Sequence, residues 1–444
     1  PAWRLPIWSF PIWWFSSTVI DLRPHRTPSG HANQLEQEMT NEQVSSASVK
    51  TTTSQSSGRI IVILGMLAAF APIATDMYLP AFPQMAVDFK VPEGGIEITL
   101  SIFFLGLAIG QAIYGPLIDR FGRRRPLLVG IGLYVATTVL CLLLTDIGIF
   151  VGLRFLQAVG GCAGIIIGRA IIRDLFDERD SARAFSSLLV VMTLAPILAP
   201  ILGGLILSFA GWKAIFGFIL AFGLGCALLV WGFIPETLAP EDRRKESPVA
   251  IGRAWLSLVT DRAFIVPAMV GGLAQACMFA FITGSPAVFI NQHGASAQSY
   301  GFLFALIACA LIVAAQANRI ALRWKTPESL LSASLILNLV AGVGTVLAVA
   351  TGSLPLLLIP LWFAIGALGF IGADAAALAM AACRRHAGSG SALVGVLQFG
   401  CAFVVSSLVA ACQNGTAYPM TLAIAGCGLL ASILWFLASA RRAS

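Results

Sequence analysis

Gly115-Pro116-Leu117-Ile118-Asp119-Arg120-Phe121-Gly122-Arg123-Arg124-Arg125 is a short polar strip set between two long apolar runs, near 96–118 and 127–145. Each run has about 20 residues, the length an α-helix needs to cross a hydrocarbon core of about 30 Å. Outward from the strip, similar runs are readable near 60–80, 149–172, 183–209 and 213–234. After a polar stretch they resume near 264–290, 298–318, 328–350, 354–382, 390–412 and 418–439. The pattern predicts an all-α membrane protein of twelve transmembrane helices, six on each side of the polar stretch. Composition agrees, because only 11% of the 444 residues are charged, against about 25% in a soluble domain.

The strip also orients the chain. If it lies in the cytoplasm and the spans alternate, the opposite loops hold only Lys90 and Lys213, while basic residues from Arg120 to Arg442 crowd the strip's own side. That bias is the positive-inside rule, and it predicts that both termini are cytoplasmic. The net charge of +7 then follows from membrane orientation, and no nucleic acid is needed to explain it. Nine cysteines, among them Cys141, Cys162, Cys226 and Cys277, are scattered without the paired spacing of a metal site or disulfide framework. They read as small packing residues.

The expected organisation is a leader over 1–58, a six-helix half over 59–234, a connector over 235–262 and a second half over 263–444. The leader opens with Trp3, Trp8, Phe10, Trp13, Trp14 and Phe15, interrupted by Pro6 and Pro11. This run is too short to span and lacks the parts of a signal peptide. One reading starts translation at Met39 and treats 1–38 as upstream sequence; the other makes the aromatic run an interfacial anchor.

Charged side chains inside a bilayer cost about 2.5–3.5 kcal/mol on insertion scales, so those that persist point to function. Asp76 and Asp374 are the acids clearly inside spans, Arg154 and Arg169 are bases on span 4, and no histidine lies in a span interior. Proton chemistry therefore falls to carboxylates. Asp76 is the leading proton site, although it can equally brace a helix end near Pro80. Asp374 reads as a second protonatable site, a counter-ion for cationic substrates, or a structural partner to an arginine. Gly160, Gly164 and Gly168 form a small-residue stripe that lets helices approach closely.

A basic turn explains the arginines of the strip but not Gly115, Asp119 and Gly122 at their spacing. The strip resembles the signature between spans two and three of the major facilitator superfamily. Arg154-Phe155-Leu156-Gln157-Ala158-Val159-Gly160-Gly161 is similar to that superfamily's motif with a membrane-embedded arginine. In span 5, Ala195-Pro196-Ile197-Leu198-Ala199-Pro200-Ile201-Leu202-Gly203-Gly204 resembles the proline-and-glycine motif of drug/proton antiporters, with Ala199 where many relatives have glycine. Ala74-Thr75-Asp76-Met77-Tyr78-Leu79-Pro80, Gly168-Arg169-Ala170-Ile171-Ile172-Arg173-Asp174 and Gly284-Ser285-Pro286 resemble the bicyclomycin-resistance (Bcr/CflA) family of efflux transporters.

The resemblance implies a proton-coupled antiporter in the bacterial inner membrane, exporting small amphipathic drugs by alternating access and acting as a monomer. No cofactor or metal is expected, only protons, a drug and the bilayer. It places Arg154 in the cavity beside Asp76. It makes Gly115, Asp119, Arg120, Gly122 and Arg123 a conformational latch whose partner is the start of span 11, near Ser389–Ser391. Pro196, Pro200, Gly203 and Gly204 would close a leak path between halves. A broad apolar pocket needs a few polar groups; the candidates are Tyr78, Gln111, Gln157, Gln275, Asn338 and Gln398, each also readable as an interhelical packing residue. The alternative is a proton-coupled uptake symporter for a nutrient. The chain lacks His-Glu-x-x-His, Gly-x-Ser-x-Gly and phosphate-loop sequences, which argues against an enzyme or ATP-driven pump.

Overall fold

The computed structural model describes residues 58–443, apart from Glu93, 244–247 and 384–386. The aromatic leader and the Met39 start lie outside the described residues. Among the described residues, eleven helical segments are long and apolar enough to cross a membrane. One of them, Arg183–Phe233, has 51 residues, about 75 Å of helix at 1.5 Å per residue. Gly211 divides it, at φ 72° and ψ 177°.

The apolar helices are labelled in chain order. In the first set, α1 is Gly58–Phe89, α2 Glu97–Phe121, α3 Arg124–Leu143 and α4 Ile147–Leu175, with α5 (178–210) and α6 (212–233) on either side of Gly211. In the second set, α7 is Arg262–Pro286, α8 Ala297–Ala321, α9 Pro327–Val349, α10 Leu354–Ala382, α11 Ala387–Ala411 and α12 Tyr418–Ala443. A short connector helix, Pro248–Thr260, precedes α7.

Side-chain caps fix several helix starts. Asp146 accepts from Ile149 N–H, Asp261 from Ala263 N–H and Ser296 from Ser299 N–H, satisfying donors that a helix N-terminus leaves open. Proline removes a backbone donor, and two helices are broken beside one. In α1 the helix Phe70–Asp76 gives way to a tight turn at Leu79–Ala81, which holds Pro80, before Phe82–Phe89 resumes. In α7, Pro286 precedes a wider π-helical turn over Ala287–Gln292.

The glycine stripe of α4 packs as expected. A Cβ at Gly160 would strike the α3 backbone at Gly130 and Tyr134, and one at Gly164 would strike Leu67 of α1. Between the two sets of helices, α2 lies along α11 and α5 along α8. Exchanging the equivalent helices of the two sets, α2 with α8 and α5 with α11, turns one pair into the other, as an internal repeat requires. A small cluster of Leu258, Phe264, Ala379, Cys383 and Leu393, joined by Trp255, ties the connector helix to α7, α10 and α11.

Candidate transport site

The break in α1 organises the polar interior. Asp76 is the last residue of its helical piece and only 3% exposed. A carboxylate there meets the negative end of the helix dipole without water to solvate it. Its Oδ1 lies 2.8 Å from Thr75 Oγ1, which is also 2.8 Å from the Ala71 carbonyl. One hydroxyl proton serves only one of these acceptors. Both contacts are satisfied when Asp76 carries a proton and donates it to Thr75, while Thr75 donates to Ala71.

Arg154 is fully buried and does not pair with Asp76. Its Nη2 donates to the Ala74 carbonyl at 2.7 Å and its Nη1 to Gln157 Oε1. The guanidinium lies 4.5 Å from both the Tyr78 and Phe103 ring centroids. Cation–π attraction is worth about 2 kcal/mol when desolvated. Arg154 therefore caps the Ala74 carbonyl near the end of the broken helix, two residues before Asp76. Gln157 in turn donates to Thr138 at 2.7 Å, and Tyr78 shares a 3.0 Å bond with Thr99.

The other polar candidates divide by burial. Tyr78, Gln157 and Asn338 are buried and bonded to the protein, Asn338 to the Ala364 carbonyl at 2.8 Å. They hold helices together rather than facing open space. Gln111, Gln275 and Gln398 are half-buried, on α2, α7 and α11. Gln275 and Gln398 are within one helical turn of Phe279 and Phe399, in a layer where the Phe279 ring centroid is 4.0 Å from that of Phe104 and 6.0 Å from that of Phe399, and Gln111 lies against Gly395 of α11. Asp374 stands apart, 1% exposed. Its partner is an amide rather than an arginine: Asn318 donates to Oδ1 at 3.0 Å. Arg169 is exposed on an otherwise mostly buried stretch of α4.

The span-5 motif packs closely against helices of both sets. A Cβ at Gly203 would overlap the Met77 carbonyl of α1, and one at Gly204 the Ala297 carbonyl of α8. Reciprocally, a Cβ at Gly301 of α8 would sit 2.8 Å from Ile201 Cα and 3.0 Å from the Pro200 carbonyl. Pro200 is buried in this seam and Pro196 half-buried.

At the arginine-rich end, the strip forms a network. Arg123 donates to Asp119 at 2.8 Å and to Asp174 at 2.9 Å. Burial opposes its charge, but the two carboxylates outweigh this and hold its pKa above the ordinary value. Thr237 donates to Asp174 at 2.8 Å. Glu236 accepts the backbone N–H of Arg123 at 2.7 Å and of Arg124 at 3.3 Å, placing an anion at the positive end of α3. Gly122 has φ 87°, and a Cβ there would overlap the Glu236 carboxylate. Arg120 is exposed, 5.4 Å over the Phe121 ring, and a Cβ at Gly115 would meet open space.

Two points correct the expected latch. Asp119 bonds Arg123 and leaves its side chain 49% exposed, and among the described residues no hydrogen bond or ion pair joins it to Ser389 or Ser391 at the start of α11. Asp174 and Glu236, not counted among the site residues, bear most of the network. They are acids in a basic region, a sequence signal that was available at the ends of spans 4 and 6.

Two repeated sets of apolar helices packed through close glycine contacts, with buried charged residues and a charged loop network in the first set, define a multi-pass membrane transporter. The chain belongs to the Major Facilitator Superfamily, whose family model matches residues 64–406. It is 34% identical to the MFS-type transporter YdgK of Bacillus subtilis over 84% of this chain and 94% of that one. It is 31% identical to a bicyclomycin resistance protein homolog of Haemophilus influenzae, over 86% of this chain and 96% of that one. It is 29% identical to the multidrug resistance protein MdtL of Salmonella schwarzengrund, over 85% and 94%. Among solved structures, the fold matches a bacterial homolog of the human lysosomal transporter Spinster in an inward-facing, unoccupied conformation. There the TM-score is 0.66 at 16% identity, covering 86% of this chain and 97% of that one.

Proposed function

We propose that the protein is a proton-coupled antiporter that exports small amphipathic drugs by alternating access. In this reading it crosses the bacterial inner membrane twelve times as two six-helix halves, with both termini cytoplasmic. It works as a monomer, and the proton gradient supplies its energy without a cofactor. The observation that carries the coupling is Asp76: buried, at a helix C-terminus, and within hydrogen-bond distance of a Thr75 hydroxyl that the Ala71 carbonyl also claims. Relatives named for bicyclomycin and multidrug resistance support a drug as the cargo. Gln275 and Gln398, next to Phe279 and Phe399 along their helices, suit an amphipathic substrate, with apolar faces for its rings and amides for its polar groups.

Measuring proton release on drug addition to purified protein tests the reading. Bicyclomycin and a cationic dye are the first substrates to try. The wild type should release protons. Asp76→Asn should bind the same compound, release none, and fail to concentrate it in reversed vesicles. Uphill transport by Asp76→Asn would place the coupling elsewhere, with Asp374 the next candidate. Uptake of substrate down an inward proton gradient would instead favour a nutrient symporter.

A further inference from the structure

In each helix set a hydroxyl pair ties the broken helix to the start of the next one. In the first set Tyr78, at the α1 break, shares a 3.0 Å bond with Thr99 of α2. In the second, Ser285, beside Pro286 at the α7 break, shares a 2.9 Å bond with Tyr300 of α8. The pairs differ in how firmly their protons are placed, since a hydroxyl has one proton to give. Thr99 gives its own to the Ile96 carbonyl at 2.6 Å, so Tyr78 is the donor in the first pair. Ser285 reaches the Ile282 carbonyl only at 3.3 Å, long for an O–H···O bond of about 2.5–3.0 Å. Its proton therefore has two uses. If Ser285 donates to Ile282, Tyr300 donates to Ser285. If Ser285 donates to Tyr300, the Tyr300 proton is free to turn elsewhere.

Across the seam from this pair is Asp76. Adjacent glycines of α5 touch both sides: Gly203 lies on Met77, the residue after Asp76, and Gly204 on Ala297, one turn before Tyr300. The start of α8 also packs on the Leu79–Ala81 turn, and the charge of Asp76 reaches the Tyr300 hydroxyl. Ser285 and Tyr300 are fully buried, where a charge acts more strongly than in water. Other titratable groups here are few. There is none on α5 between Arg183 and Lys213, the second residue of α6, and α7 and α8 add only Cys277 and Cys309 to their buried stretches. His293 follows the π-helical turn and Tyr418 opens α12. Arg154 of α4 and Glu97 of α2 act on Tyr78. Asp374 of α10 is held by Asn318, near the opposite end of α8.

We infer that Tyr300 is a positioning residue for the Asp76 proton: its hydroxyl donates to Ser285 while Asp76 is protonated and turns to the carboxylate once the proton leaves, with Ser285 then donating to Tyr300. A hydroxyl pair of the second set thereby governs how readily the proton site of the first gives up its proton. This rests on the reading of Asp76 as the proton site. The infrared band of the protonated Asp76 carboxyl, identified by its loss in Asp76→Asn and titrated against pH in the purified full chain without drug, tests it. Tyr300→Phe keeps the ring beside Phe289 and Phe304 and removes only the hydroxyl. The carboxylate then lacks a donor, so the midpoint should rise by about one pH unit, tenfold in proton affinity. Ser285→Ala removes the competing acceptor, leaves Tyr300 to Asp76, and should lower the midpoint by about half a unit. A purely structural pair would lower both melting temperatures and move neither midpoint. Midpoints unmoved in both variants, or moved in the same direction, overturn the inference, as does a carboxyl band that never titrates. If the midpoints move as expected but drug addition to the wild type releases no proton, the antiporter reading fails instead.

Discussion

The first six helices and the last six follow one packing plan but handle polar groups differently. In the first set the polar side chains are joined into networks. Arg154 links the α1 break to Gln157 and Thr138, and Arg123 links Asp119, Asp174 and Thr237. In the second set they occur as isolated pairs: Asn318 with Asp374, Asn338 with the Ala364 carbonyl, Thr283 with Ser406. The loops show the same divergence. Asn318, Ala321 and Leu322 stand where the signature strip has Asp119, Gly122 and Arg123. Ala321, in the place of Gly122, is still helical, and the capping Leu322 keeps a φ of −61°, so this loop needs no glycine. Ionic networks can hold one of two arrangements and release it, which alternating access requires. On the proposed mechanism, this comparison assigns the switching to the first set and makes the second its scaffold.

The sharpest way to break the comparison is at the seam. Gly204→Leu should abolish transport, because its side chain would enter the space of the Ala297 carbonyl of α8, and overpacking of this kind costs about 1–3 kcal/mol or more. Gly400→Leu on α11, where a Cβ meets open space, should leave transport and melting temperature near wild type. Drug efflux with a parallel thermal melt reads both, and equal damage from the two would show that the seam has no special role.

A smaller effect is expected in the loops. Arg123→Gln leaves Asp119 and Asp174 without their cation and should destabilise by about 1.5–3 kcal/mol, the range for hydrogen bonds to charged groups. It should also slow turnover. Arg323→Gln, at an exposed position of the second loop, should stay within about 0.5 kcal/mol. Asp119→Asn should fall between them, since its carboxylate is half exposed and Asp174 still holds Arg123. Cysteine accessibility from the two sides of the membrane reports whether turnover falls through a shifted equilibrium.

The helices were legible because the bilayer imposes one length and one polarity on every span, so the runs near 298–318 and 354–382 lie within or match α8 and α10. The division at Gly211 was legible too, as the gap between the runs ending at 209 and beginning at 213. The partners of the charged residues were less so. Asp76 and Arg154 are conspicuous because charge in a span is rare, yet sequence alone does not reveal that the arginine turns to the Ala74 carbonyl. The network around Arg123 joins residues up to 113 positions apart, and its acids looked like ordinary loop charges. Asn318 was read as part of a degenerate loop, and only the packing of α8 on α10 gives it Asp374.

That last pair yields the smallest expected effect and the finest test. Asp374 Oδ2 and Asn318 Oδ1 are both buried acceptors without a donor, while Asn318 Nδ2 already donates to Asp374 Oδ1. A proton on Oδ2 supplies the missing donor, and an acid and an amide can then bond each other through two parallel hydrogen bonds. An amide in place of the acid supplies the same donor permanently. If Asp374 is a structural partner, Asp374→Asn should preserve both bonds, change stability by less than about 1 kcal/mol, and leave efflux and its pH dependence intact. Asp374→Leu removes the partner and strands a buried amide, which costs about 1–3 kcal/mol, and its melting temperature should fall accordingly. Thermal melts combined with efflux measured across pH separate the cases. A stable Asp374→Asn protein that no longer transports uphill would show that this carboxyl exchanges its proton during the cycle. Coupling would then be shared between the two helix sets rather than confined to Asp76.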